Sequence, residues 1–276
     1  MDTFSHDLHK HFSPFPISPQ DLINEDYTSK VTCKIKTKAA GVAITNETTR
    51  VDGGALSSKI SAKFAGPSGF AVDKFQLLEN GGHKVETSLV GVVDGLKFTF
   101  KGNLDKDAGD LGVEYNKGKT FFTGDMDVIK LTKMNASVCT SMGAISLGGK
   151  AGYSFGKNTL TSYDVGASYS AGKLFAALQS GDKLGNANMS LHYAVNSDLK
   201  VASMSSHSAA EPLGNVWLGC SYAAPVGQIK AKVCSDGLVH ACLIKKVASG
   251  VSITPSLQLA ANNIGSLKWG LGCQLG

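Results

Sequence analysis

From about residue 30 to the end, apolar and polar positions alternate with a period of two. Val31, Cys33, Ile35 and Thr37 share one side of the first run, and Thr32, Lys34, Lys36 and Lys38 share the other. The same sorting sets Leu96, Phe98 and Phe100 against Lys97, Thr99 and Lys101. It recurs with Ile145, Leu147, Ala151, Tyr153 and Phe155 against Ser146, Lys150 and Ser154. Later, Ile229, Ala231 and Val233 oppose Gln228, Lys230 and Lys232, and Leu267, Trp269, Leu271, Cys273 and Leu275 oppose Ser266, Lys268 and Gln274. A helix would spread these residues around its circumference, whereas an extended strand sorts them onto two faces.

Runs of this kind are predicted at 31–38, 41–46, 56–64, 69–77, 83–91, 95–103, 110–116, 119–128, 134–142 and 145–155. They continue at 160–170, 173–179, 187–195, 198–205, 215–223, 226–233, 238–245, 249–259 and 267–275, nineteen in all. Turn signals such as Asp52-Gly53-Gly54, Asn80-Gly81-Gly82, Asn116-Lys117-Gly118 and Ser235-Asp236-Gly237 separate them. No domain boundary interrupts residues 27–276, so one antiparallel meander is expected there. Each strand with its turn takes roughly 13 residues, which suits tilted membrane strands of about 9–11 residues joined by short turns.

A barrel of that many strands is too wide for side chains to fill, so its interior is wet. The apolar face must then point outward, which lipid tolerates and water does not. Composition agrees. Charged residues make up 18% and mean hydropathy is zero, with 32 glycines and 7 prolines in 276 residues. This disfavours long helices, because glycine costs about 1 kcal/mol at each helical position. No run approaches the roughly 20 apolar residues of a membrane helix, and the first residues lack the pattern of a secretory signal. The six cysteines (Cys33, Cys139, Cys220, Cys234, Cys242, Cys273) form no CxxC pair, so they read as small apolar residues, not as disulfides or metal ligands. No catalytic constellation and no cofactor motif is present. His6, His9 and His11 cluster near Asp2 and Asp7; a metal site there is conceivable, but the segment reads as disordered and none is expected.

Charge divides the chain. Residues 1–26 carry a net −4 and the remainder +9. A basic body suggests anionic partners, among them phosphates, nucleic acid or lipid headgroups. Before the first strand, three Ser-Pro or Phe-Pro steps break regular structure. Ser18 as N-cap, Pro19 in the first position and Asp21 in the first turn predict a short helix over 19–26.

The chain resembles the voltage-dependent anion channels, the eukaryotic porins of the mitochondrial outer membrane. The resemblance rests on Asp21-Leu22-Ile23-Asn24-Glu25-Asp26-Tyr27 leading into the lysine-alternating Val31–Lys38, on Gly95-Leu96-Lys97, on Gly124-Asp125-Met126-Asp127, and on Ala231-Lys232-Val233 and Gly270-Leu271-Gly272. It covers about residues 20–276 and is weak over 155–225. It implies an all-β, nineteen-stranded transmembrane barrel, an antiparallel meander closed by parallel pairing of its first and last strands, with a short N-terminal helix. Nineteen is that family's own strand number, so the count is not independent of the resemblance. It implies a voltage-dependent, anion-selective pore rather than an enzyme. The partners implied are membrane lipid and transiting anionic metabolites, including nucleotides, but not nucleic acid. An apolar outer wall also makes a homo-oligomer in the bilayer plausible. The family's helix is longer and carries basic residues, whereas residues 18–26 here have no Lys or Arg.

If the apolar faces meet lipid, Lys34, Lys36, Lys38, Lys97, Lys101, Lys230, Lys232 and Lys268 face the lumen as pore-lining bases, because one register decides a whole strand. Lysine rings around a wet pore attract anions without holding them. Asp125 and Asp127 fall opposite Phe122, Met126 and Val128 and are expected to be pore acids. For Asp73 two placements stay open: the bilayer-facing acid implied by the resemblance, or a lumen or rim acid. Lys268, Gly270, Leu271, Cys273 and Leu275 are similar to the sorting signal in the last strand of mitochondrial barrels. A protein-import channel and a soluble β-barrel are the competing readings.

Overall fold

The computed structural model describes residues 18–276 apart from 52 and 213, and leaves the side chain of Ile264 undescribed. The histidine cluster at the front therefore lies outside the described residues. The first element is a helix, α1 (Pro19–Asn24). The strands that follow are β1 (Lys30–Ala39), β2 (Val42–Val51), β3 (Leu56–Ala65), β4 (Phe70–Leu78), β5 (His83–Val90) and β6 (Leu96–Asn103). A single 3-10 turn, Leu104–Lys106, leads to β7 (Ala108–Lys117), β8 (Thr120–Asp127), β9 (Lys133–Met142), β10 (Ile145–Ser154), β11 (Thr159–Ala171), β12 (Leu174–Gly181) and β13 (Asn186–Ala194). The last are β14 (Leu199–Ser208), β15 (Val216–Ala224), β16 (Gly227–Cys234), β17 (Leu238–Ala248), β18 (Val251–Ala260) and β19 (Asn263–Leu275).

All 19 strands form one sheet in which each pairs with its neighbours in sequence. The sheet closes because β1 also pairs with β19, in parallel, from Val31 opposite Leu271 to Ile35 opposite Leu275. An odd number of strands leaves first and last running the same way, so only a parallel ladder can close the ring. Closure satisfies the edge groups that an open sheet would expose.

Cross-strand partners share a face, so the register carries one face assignment around the ring. One face holds Val31, Ile35, Ile60, Phe75, Phe122, Val138, Leu147, Leu191, Leu218, Ile229, Leu257, Trp269 and Leu271, all of them large apolar side chains left exposed. The opposite face carries most of the strand lysines and acids, and α1 lies against it. That face is the inside. The segment from α1 to Thr28 touches β13, β14 and β15 through the helix and reaches β18 through Thr28, a span of neighbouring strands that only the concave surface allows.

Strand two ends five residues beyond the limit the alternation predicts, at Val51. Its lost pattern has a local cause: Asn46, Thr48 and Arg50 occupy the outward face. Asn46 and Thr48 satisfy each other and Ser58 of β3 through side-chain hydrogen bonds of 3.3–3.5 Å.

The helix ends at Asn24, two residues before the predicted limit. Ser18 and Asp21 form a capping box: the Ser18 hydroxyl accepts from the Asp21 N–H and the Asp21 carboxylate accepts from the Ser18 N–H, both at 3.0 Å. Six residues cannot hold a helix alone in water. Its stability comes from packing, since Leu22 and Ile23 are 0% and 1% exposed against Ala202, with Met204 and Trp217 alongside. Gly219 permits this approach. A Cβ there would stand 3.0 Å from a Leu22 methyl and 3.1 Å from an Ile23 methylene.

Candidate functional site

The inner wall is the candidate site. The register places Lys34, Lys36 and Lys38 of β1, Lys97 and Lys101 of β6, Lys230 and Lys232 of β16 and Lys268 of β19 on it. Asp125 and Asp127 share this face, through partners Gly112 and Asp110. Apolar side chains reach it as well, Phe121 and Phe175 among them, both buried.

The eight lysines do not share one role. Lys34 and Lys59 hold Glu47 between them at 3.3 and 2.8 Å, and Lys97 lies 3.8 Å from Glu114. Lys36, Lys38, Lys101 and Lys268 make no ion pair with any described residue. Lys230 is 4% exposed and lines nothing. Its ammonium donates to the carbonyls of Asp21 and Glu25 at 3.1 and 3.0 Å and to the Asp26 carboxylate at 2.9 Å. Those carbonyls belong to the end of α1, where the helix dipole is negative. Lys232 lies over two rings, 4.7 Å from the centroid of Tyr27 and 4.5 Å from that of Trp217. Both lysines thus fasten the N-terminal segment to the wall.

That segment is a strap. Beyond Lys230 it continues through Tyr27, which meets His240 edge-on at 5.9 Å, to Thr28. The Thr28 N–H donates to Ser256 of β18 at 3.2 Å, and the Ser256 hydroxyl donates back to the Thr28 carbonyl. Lys230, Cys242 and Ser256 are successive register partners across β16, β17 and β18. Residues 26–28 therefore pass over Cys242, which is 4% exposed. Burial pushes the Tyr27 phenol well above the ordinary tyrosine pKa, so it stays neutral. Where the strap enters β1, Gly270 makes room: a Cβ there would fall 2.2 Å from the Thr28 carbonyl oxygen. All five positions that resemble a sorting signal resolve by parity, with Lys268 and Gly270 inward and Leu271, Cys273 and Leu275 outward on β19.

Asp73 is turned to the inside. The β3–β4 ladder shifts register between Ala62 and Phe64, and the β4–β5 ladder shifts between Val72 and Lys74. This bulge takes Asp73 off the outward face of Phe75 and Leu77. Its carboxylate lies 3.4 Å from the Lys63 ammonium and accepts from the Ser88 hydroxyl, both on the inner face. A bilayer-facing placement would have left a carboxylate in hydrocarbon, and the bulge avoids that cost.

Strict alternation pointed to some inner residues but did not bring out their pairing. Lys63 with Asp73, Lys74 with Glu86 and Lys150 with Asp164 form inner ion pairs at 3.4 Å, the last two directly opposite in register. Extending the inward parity through every strand would have found them. Asp125 accepts from the Asn135 amide at 2.8 Å, while Asp127 caps the following turn through Ile129, Lys130 and Thr132.

The family model for eukaryotic porins matches residues 17–270. The chain belongs to the eukaryotic porin family. A eukaryotic porin is a pore-forming channel and not an enzyme, and this one is embedded in an outer membrane and passes small solutes. No curated protein matches the sequence. Among solved structures, engineered variants of the porin of Rhodopseudomonas blastica align over 90% of this porin and 96% of their own chain, at 12% identity and a TM-score of 0.48. OmpT of Vibrio cholerae aligns over 81% of this porin and 88% of its own length, at 9% identity and a TM-score of 0.36. Likenesses that distant carry no argument about this porin.

Proposed function

We propose that this porin is a voltage-dependent, anion-selective diffusion pore of the mitochondrial outer membrane, passing small anions and anionic metabolites, including nucleotides. The observation that carries the reading is the imbalance of charge on the inner wall. Glu47, Asp73, Glu86, Glu114 and Asp164 each lie within 4 Å of an inner lysine, so their fields are largely offset. Lys36, Lys38, Lys101 and Lys268 have no such partner among the described residues. Fixed, solvated cations raise the local concentration of anions and repel cations, and solvation keeps each encounter weak enough for onward movement. Asp110, Asp125 and Asp127 on β7 and β8 offset part of this field and make it lopsided around the ring. Family membership supports the voltage dependence and the mitochondrial address.

The test is ion selectivity in a planar bilayer under a salt gradient. The wild-type pore is expected to show a zero-current potential of the anion-preferring sign. Lys36→Glu combined with Lys268→Glu moves that potential toward zero or past it. A cation-preferring wild type, or an unchanged potential in the double variant, would refute the reading. Fractionation of cells that express the protein tests the address, with recovery outside the mitochondrial outer membrane counting against it.

A further inference from the structure

One part of the inner wall departs from its charged character. Between α1 and strands β12 to β15 lies a cavity of about 320 Å³, and every side chain lining it is uncharged. The helix contributes Asn24, and the wall contributes Asn188, Ser190, Ser206, Asn215 and Trp217. The three asparagine amides and the two hydroxyls make no side-chain hydrogen bond to any described residue. Elsewhere on this wall the acids and amides find partners in the protein: Glu47 with two lysines, Asp125 with Asn135, Gln228 with Ser221. Here these three amides and two hydroxyls converge on one space without a side-chain bond to any described residue.

We propose that this cavity is a binding subsite for an uncharged, polyhydroxylated solute of sugar type. An amide offers both donor and acceptor atoms, and a hydroxyl does too, which matches the paired donor and acceptor character of an alcohol group. Trp217 adds the flat apolar surface that the C–H face of a sugar ring needs. An anion would find no cation lining the cavity to offset its lost hydration. A wholly apolar solute would leave the amides unpaired. The volume lies at the small end of ligand pockets, enough for one or two rings. The strap supplies one wall, so the subsite exists only while α1 is docked.

The experiment uses the full chain in a planar bilayer, with maltose as probe. Maltose is expected to produce current interruptions or excess current noise that saturates with its concentration. Because the recognition is neutral, the half-saturating concentration should shift by less than about twofold between low and high salt. Asn188→Ala with Asn215→Ala should raise it about tenfold, the loss of two modest neutral hydrogen bonds. Open-channel conductance and zero-current potential should not change, and they verify in the same record that the pore is folded. Should the double variant fail to insert, Asn24→Ala on the exposed side of the strap should shift the value about threefold. Non-saturating noise, or half-saturation unmoved by these substitutions, would overturn the proposal. Anion selectivity is read without maltose, so its failure and failure of the subsite are separate outcomes.

Discussion

Replacing Lys230 by methionine should unfasten the strap while leaving the barrel closed. Methionine keeps most of the side chain's length and its apolar stem, so the change is chiefly the loss of the ammonium. Three bonds of 2.9–3.1 Å disappear with it. The Asp21 carbonyl still accepts from the Glu25 N–H at 3.0 Å, so it keeps one partner. The Asp26 side chain is 41% exposed and can turn to water, so its share is that of a surface pair, about 0–1 kcal/mol. The Glu25 carbonyl loses a charged donor, worth about 1.5–3 kcal/mol. Relief from burying the ammonium offsets part of the sum. A net loss of about 2–3 kcal/mol remains, which raises the undocked population about 30- to 150-fold.

Cys242 reports that population, because it lies beneath residues 26–28 and is 4% exposed. Alkylation by a small maleimide, quantified for each cysteine by peptide mass spectrometry, should speed up at Cys242 by that factor. Cys33 and Cys273, on the outward face of the β1–β19 seam, should label at the wild-type rate and serve as references. Lys230→Arg, which keeps the charge, should fall between. A Cys242 rate within about threefold of wild type in Lys230→Met would refute the fastening role.

Gly219→Leu should free the same thiol by another route, since its side chain would occupy the space of Leu22 and Ile23; Gly219→Ala, with contacts of 3.0–3.1 Å, should have a much smaller effect. Ile60→Arg and Ser61→Arg place the same charge on opposite faces of β3. In refolding into lipid vesicles the first should cost about 2–4 kcal/mol and the second less than about 1, and equal costs would defeat the face assignment. Asp73→Asn should leave refolding stability within about 1 kcal/mol and raise anion preference slightly by releasing Lys63; stabilisation well beyond that would return Asp73 to the lipid side.

Alternation along the chain, read together with the family resemblance, determined the strand number; alternation also determined the near-complete set of strand positions and the outward course of the apolar residues. Each of these is local: a strand shows its two faces through its own side chains, and a turn shows itself through its own glycine or asparagine. Ser18, Pro19 and Asp21 likewise carry their capping chemistry within four residues. The exceptions arise where a second strand or a distant segment decides. Asp73 changes face because neighbouring ladders lose step, and a bulge is a mismatch between two strands that neither sequence displays alone. Lys230 and Lys268 read identically as lysines on polar faces. One is sealed beneath the strap, bonded to Asp26 at 204 residues' separation, and the other has no ion pair among the described residues. Gly219 resembles any strand glycine until Leu22 and Ile23 are packed on it. Period and parity were enough to tell which side of the wall nearly every residue faces. Only the closed barrel decided which inward lysines meet the solution and which hold the strap, because that depends on what crosses the lumen above them.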